Sequence, residues 1–193
     1  MHESVKSTPK NQLPSKQRFA DTFRFLSRIS YWIHLLLGTI SGVILFLVGF
    51  SRNSANINSN GVNVGIVFAV LSLVALGFRV YWALRYRTLA KTLQKFDSKV
   101  QPSREEIIRI LRLGLFVSLL GLFLAFFASE ISLVSLVADA IARPQGIAVY
   151  DREQVVQIAD LLLILAQLNI LGAHFFGSAN SLGLLSWLSK EEV

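Results

Sequence analysis

Four polar side chains recur at every seventh residue near the end of the chain: Asp160, Gln167, His174 and Ser181. Seven residues make two turns of helix, so a carboxylate, a carboxamide, an imidazole and a hydroxyl fall on nearly one face, with Ser178 beside them. The line covers roughly 31 Å, close to the thickness of a bilayer's hydrocarbon core. Three chemistries are open to it. It can be a hydrophilic track for an ion, with Asp160 at the mouth and His174 midway; such oxygen and nitrogen donors suit a hard or borderline divalent metal such as iron. His174 can instead ligate the magnesium of a chlorophyll. The line can also be a ladder of interhelical hydrogen bonds, each worth under about 2 kcal/mol. Asp160, Gln167, His174 and Ser181 are thus the transport-path or ligand candidates, and His174 and Asp160 the metal candidates.

Other polar residues are less ordered. Ser27, His34 and Ser41 form a second seven-spaced set, but His34 lies near one end of its helix whereas His174 is near mid-membrane. Their rings are expected to stand roughly 10 Å apart along the membrane normal, too far to share one metal. Asn169 points away from the polar line and is expected to bond a different helix. Arg79 is expected to snorkel to an interface. The chain has no cysteine and one methionine, Met1, which excludes disulfides, thiolate metal sites and thioether ligation. It has no phosphate-binding glycine loop, no His-Glu-x-x-His and no serine–histidine–aspartate set. An enzyme is not expected, and no resident cofactor is.

The elements that carry these residues are membrane spans. Of 193 residues, 53% are hydrophobic and only 16% charged, with a mean hydropathy of +0.53. The apolar residues gather into runs too long for so small a globule, at about 29–50, 62–84, 113–137 and 161–187. The expected fold is all-α: a polytopic bundle of four transmembrane helices with amphipathic cytoplasmic extensions. Residues 1–17 read as a flexible basic tail and 18–190 as one membrane domain. The first apolar run is too long and too late for a signal peptide. Small residues recur at helical spacing in every span; Gly38, Gly42, Gly114, Gly121 and Gly177 are the expected helix-packing positions.

Orientation follows from basic residues. Sixteen of the 19 Lys and Arg lie before the first span, in the connection from Arg79 to Arg112, or at Lys190; the opposite connections hold only Arg52, Arg143 and Arg152. The positive-inside rule then places both termini in the cytoplasm. The net charge of +7 reflects that asymmetry, and no nucleic-acid motif accompanies it. Arg18, Asp21, Arg24 and Arg28 share one helical face and Phe19, Phe23 and Leu26 another, as in a helix lying at the interface. The second helix is expected to extend past the membrane through Leu89, Leu93, Phe96 and Val100. Ser103 is placed to cap the third, and residues 139–160 read as a loop. The partners expected are the lipid bilayer and either further copies of the chain or a larger membrane complex.

The last span also resembles a known family. Asp160, Asn169, His174-Phe175, Gly177, Ser181-Leu182 and Leu184-Leu185 follow the order found in permease in chloroplasts, the twenty-one-kilodalton component of the inner-envelope protein translocon. The first span adds Trp32, Leu35, Ser41 and Val43-Ile44-Leu45. The resemblance runs from about Phe19 to Trp187. It implies a four-helical membrane protein with a permease-like role in iron transport or homeostasis. The alternative it implies is a non-transporting factor for protein translocation or insertion, or for assembly of a photosynthetic complex. A member of this length resembles the cyanobacterial ones, in plasma membrane or thylakoid. Asp160, Asn169 and His174 match the pattern, whereas His34 and Glu130 stand where glutamine is expected.

Overall fold

A backbone that crosses hydrocarbon must satisfy its own N–H and C=O groups, and a helix does so within one segment. In the computed structural model the described residues, 13–54, 60–93, 104–142 and 153–190, are helical throughout. The helices are α1 (Leu13–Ser54), α2 (Asn60–Leu93), α3 (Arg104–Ala142) and α4 (Glu153–Lys190). Each contains a stretch long and apolar enough to cross a bilayer: Asp21–Asn53, Asn60–Arg85, Glu105–Ala142 and Ile158–Ser189. This is an all-α, integral membrane protein.

The helices alternate in direction. Each packs against its neighbour in sequence, α4 closes the ring against α1, and α2 also meets α4 across the centre. Among the described residues the backbones of α1 and α3 do not pack directly against each other; only their side chains converge, on α4. Two apolar clusters fill the interior. One, towards the end where α1 meets the start of α4, comprises Leu45, Val48, Val62, Ala69, Ala125, Ala128, Leu163, Ala166 and Ile170. The other, at the arginine-rich end, joins Phe23, Ile107, Leu111, Leu184 and Leu188. The first is rich in alanine, which lets helices approach where lipid offers no hydrophobic drive to associate.

The helices run further than the sequence indicated. α1 begins at Leu13, so residues 13–17 join a helix rather than a tail, and residues 1–12 lie outside the described part. The segment with Arg24 and Arg28 does not lie flat at an interface. It continues straight into the span, since no glycine or proline falls between Pro14 and Gly38, and Phe23 packs into the cluster at that end. α3 runs through Asp139 to Ala142 and α4 starts at Glu153, so the expected loop over 139–160 is helical at both ends. α2 reaches Leu93 in the direction expected; Phe96, Val100 and Ser103 lie outside the described residues.

Candidate functional site

The seven-residue line on α4 faces the bundle interior along its whole length. Gln167, His174 and Ser181 are fully buried and Asp160 is 7% exposed. Each meets a different polar group on another helix, so the line forms a seam of four levels.

At the first level Arg52, in the last turns of α1, donates through Nη1 to Asp160 Oδ1 at 2.8 Å; both side chains are buried. At the second, Gln167 Nε2 donates to Ser132 Oγ of α3 at 2.9 Å, while Gln167 Oε1 has no partner. Ser132 and Ser135 in turn sit over Gly65 and Gly61 of α2, where any β-carbon would collide with their hydroxyls.

The third level is at the centre. His174 Nε2 donates to the Ser72 carbonyl of α2 at 3.1 Å, and Ser72 Oγ donates to the Gly121 carbonyl of α3 at 2.7 Å. The imidazole lies directly against Gly121, where a β-carbon would occupy the ring's own position. With its proton on Nε2, His174 keeps an unpartnered lone pair at Nδ1. This enclosure leaves no face for a macrocycle, so chlorophyll ligation does not fit His174 without displacing α3.

The fourth level brings all four helices together. Arg79 of α2, 1% exposed, donates through Nη2 to the Gly177 carbonyl at 2.8 Å and to Ser181 Oγ at 2.7 Å. His34 of α1 donates through Nδ1 to the Ser30 carbonyl one turn earlier and aims Nε2 at Gly177. Ser118 of α3 faces the same point. A β-carbon on Gly177 would stand 2.7 Å from His34 Nε2, 2.7 Å from Ser118 Oγ and 3.1 Å from Arg79 Nε. The expected snorkelling of Arg79 is therefore corrected: the side chain turns inward because Gly177 and Ser181 offer two acceptors within its reach.

The packing glycines divide into two kinds. Gly38 and Gly42 meet Leu76 and Leu73 of α2, Gly38 at 3.2 Å and Gly42 at 3.6 Å from where their β-carbons would be, as apolar contacts. Gly121 and Gly177 are sockets for polar side chains; Gly114 is buried. The metal candidates do not converge. His174 and Asp160 are fourteen residues apart, roughly 21 Å of helix, and Asp160 is bonded to Arg52. Among the described residues no three of His, Cys, Asp and Glu come together. Sequence reasoning missed Arg79, Ser72, Ser118 and Ser132 as partners of the line. A signal existed for α2, where Gly65, Ser72 and Arg79 repeat the same seven-residue spacing.

These features define a four-helix integral membrane protein with an internally bonded polar seam. The chain belongs to the family described as protein of unknown function (DUF3611), whose model matches residues 13–189. It is 28% identical over 169 residues to Protein TIC 21, chloroplastic, from Arabidopsis thaliana, a match covering 84% of this chain and 55% of that one. The chain thus spans about half the length of this relative. The family model covers the whole stretch from Phe19 to Trp187 that carries the resemblance, the second match covers most of the chain, and the chain is a member of that family. No solved structure matches it.

Proposed function

We propose that this protein is a non-enzymatic component of a membrane assembly of translocon or permease type, and that its own interior is a brace rather than an ion path. The observation that carries this reading is the complete burial of Gln167, His174 and Ser181, each hydrogen-bonded to another helix. A conducting line would keep its polar groups facing water or a seam. Arg79 adds to the argument, because a fixed cation bonded to Ser181 repels a divalent metal moving along the same line. The similarity to the chloroplast relative supports the class. The basic residues at one end support an orientation with both termini in the cytoplasm.

A second reading, iron permeation, draws on one specific observation. His34 Nε2, His174 Nδ1 and Gln167 Oε1 are buried atoms whose lone pairs have no hydrogen-bond partner, and such nitrogen and oxygen atoms are ligands for divalent iron. Radiolabelled ferrous-iron uptake into proteoliposomes decides between the two. No saturable uptake by correctly folded, oriented protein is the result expected. Saturable uptake that His174→Ala and Asp160→Asn abolish, with folding retained, overturns the brace and establishes a permease.

A further inference from the structure

The arginine-rich end of the bundle carries charge outside the polar seam, and that charge is not spread evenly. Arg28 of α1 stands immediately before the charge-free run that begins at Ile29, and Arg85 of α2 immediately after the apolar run 80–84. Both side chains are exposed, and among the described residues neither has a carboxylate or a hydrogen-bond partner.

The packing of α1 on α2 sets their relative depth. Gly38 lies against Leu76 and Gly42 against Leu73. Continued along the antiparallel pair, that register brings Arg28 to the level of Arg85, Trp32 to that of Tyr81 and Leu36 to that of Gly77. On each helix the three residues follow at steps of four and so share a face, beside the groove between the two helices. From the water inward the two stripes match cation with cation, aromatic with aromatic, and leucine with a glycine gap. Trp32 is 58% exposed and Tyr81 57%. Nothing lies within 4 Å of where a β-carbon of Gly77 would be. Arg85 is also held in place: its guanidinium lies 5.3 Å over the Trp82 ring, and the Trp82 indole N–H donates to the Ile110 carbonyl of α3 at 3.3 Å. Stacking uses the face of a guanidinium and leaves its edge, with the fork of N–H donors, for an oxyanion.

We infer that the groove between α1 and α2 holds a phospholipid with an anionic headgroup, its phosphate between Arg28 and Arg85 and an acyl chain over Gly77. The order of the three levels is the order of a lipid from water inward, with Trp32 and Tyr81 at the glycerol and ester region where such rings settle. Two guanidinium groups favour a headgroup of net negative charge, since the cationic group of a zwitterionic lipid adds a third positive charge. Charge complementarity singles out this face. On α3 at the same end Arg109 follows Glu105 and Glu106 by one turn and all three are exposed, so opposite charges offset each other there. Asp21, the nearest carboxylate to Arg28 along α1, lies about two turns further from the bilayer. The groove is outside the polar seam, so lipid binding and the brace stand or fall separately.

Native mass spectrometry of the full chain in detergent, titrated with phosphatidylglycerol or with phosphatidylcholine of the same acyl chains, tests the site. The expected result is a first phosphatidylglycerol bound in clear preference to phosphatidylcholine. Arg28→Gln combined with Arg85→Gln is expected to lower that preference about thirtyfold, roughly a factor of five for each arginine, with helicity unchanged. Arg109→Gln combined with Arg112→Gln removes the same charge from α3 and is expected to leave the preference in place. Gly77→Leu is expected to weaken both lipids alike, because it fills the acyl gap without touching the charge. Equal binding of the two lipids by the unaltered chain overturns the proposal. So does an equal loss in the α3 variant, which marks diffuse charge rather than a site, or a Gly77→Leu chain that binds both lipids as before.

Discussion

Arg52 and Arg79 enter the bundle from α1 and α2, and both donate to α4 at opposite ends of one polar line. Arg52 meets a carboxylate, Asp160. Arg79 meets a backbone carbonyl and a hydroxyl, beside an imidazole and a second hydroxyl that close in over Gly177. The first contact is an ion pair between two side chains of opposite charge. The second depends on shape, because it exists only where α4 has no side chain at residue 177. The same helix face is therefore tied down by electrostatics at one end and by close approach at the other, with the socket of Gly121 for His174 between them.

That difference orders the expected effects of substitution, read as unfolding free energies in mild detergent or bicelles. Asp160→Ala is the most damaging, at about 3–5 kcal/mol, because it strands the Arg52 charge inside the bundle. Arg52→Met combined with Asp160→Leu should recover most of that loss, which isolates charge stranding as the cause. Gly121→Ala comes next at about 2 kcal/mol, by forcing the His174 ring off its seat. His174→Ala in the same chain should relieve part of the clash, and a double-mutant cycle measures the coupling. Ser181→Ala removes one of Arg79's acceptors but leaves the Gly177 carbonyl, and should cost about 1.5 kcal/mol. Gln167→Leu is the mildest, at about 0.6 kcal/mol, the usual worth of a neutral interhelical hydrogen bond in a membrane. A Ser181→Ala effect as large as that of Asp160→Ala would erase the distinction between the two ends.

Much of this was legible in the residues. The four spans, the alternation of basic and less basic connections, and the polar face of α4 all follow from apolar run lengths and the spacing of seven. The partners of that face did not follow. In water a helix shows its buried side by its apolar stripe, but in lipid the outer face is as apolar as the inner one. The rotation of α2 is then set by few residues, and Arg79 near the end of its span reads equally well as a snorkelling anchor. Glycine hides its role in a similar way: Gly42 and Gly121 look alike in the sequence, yet one contacts leucine and the other receives an imidazole. The extensions of α3 and α4 beyond the bilayer were obscured by their charges, which mark the edge of the lipid rather than the end of the helix.

The central claim is that the polar seam is sealed. Ser72, Ser118 and Ser132, one on α2 and two on α3, are fully buried and reach three of its four levels. Each can be changed singly to cysteine in a chain that has none, with little change in size. Treatment of intact, reconstituted protein with a membrane-impermeant methanethiosulfonate should leave all three thiols unmodified from either side until the protein is unfolded. Rapid modification of any of them in the folded state would reveal a wet path through the bundle and contradict the account.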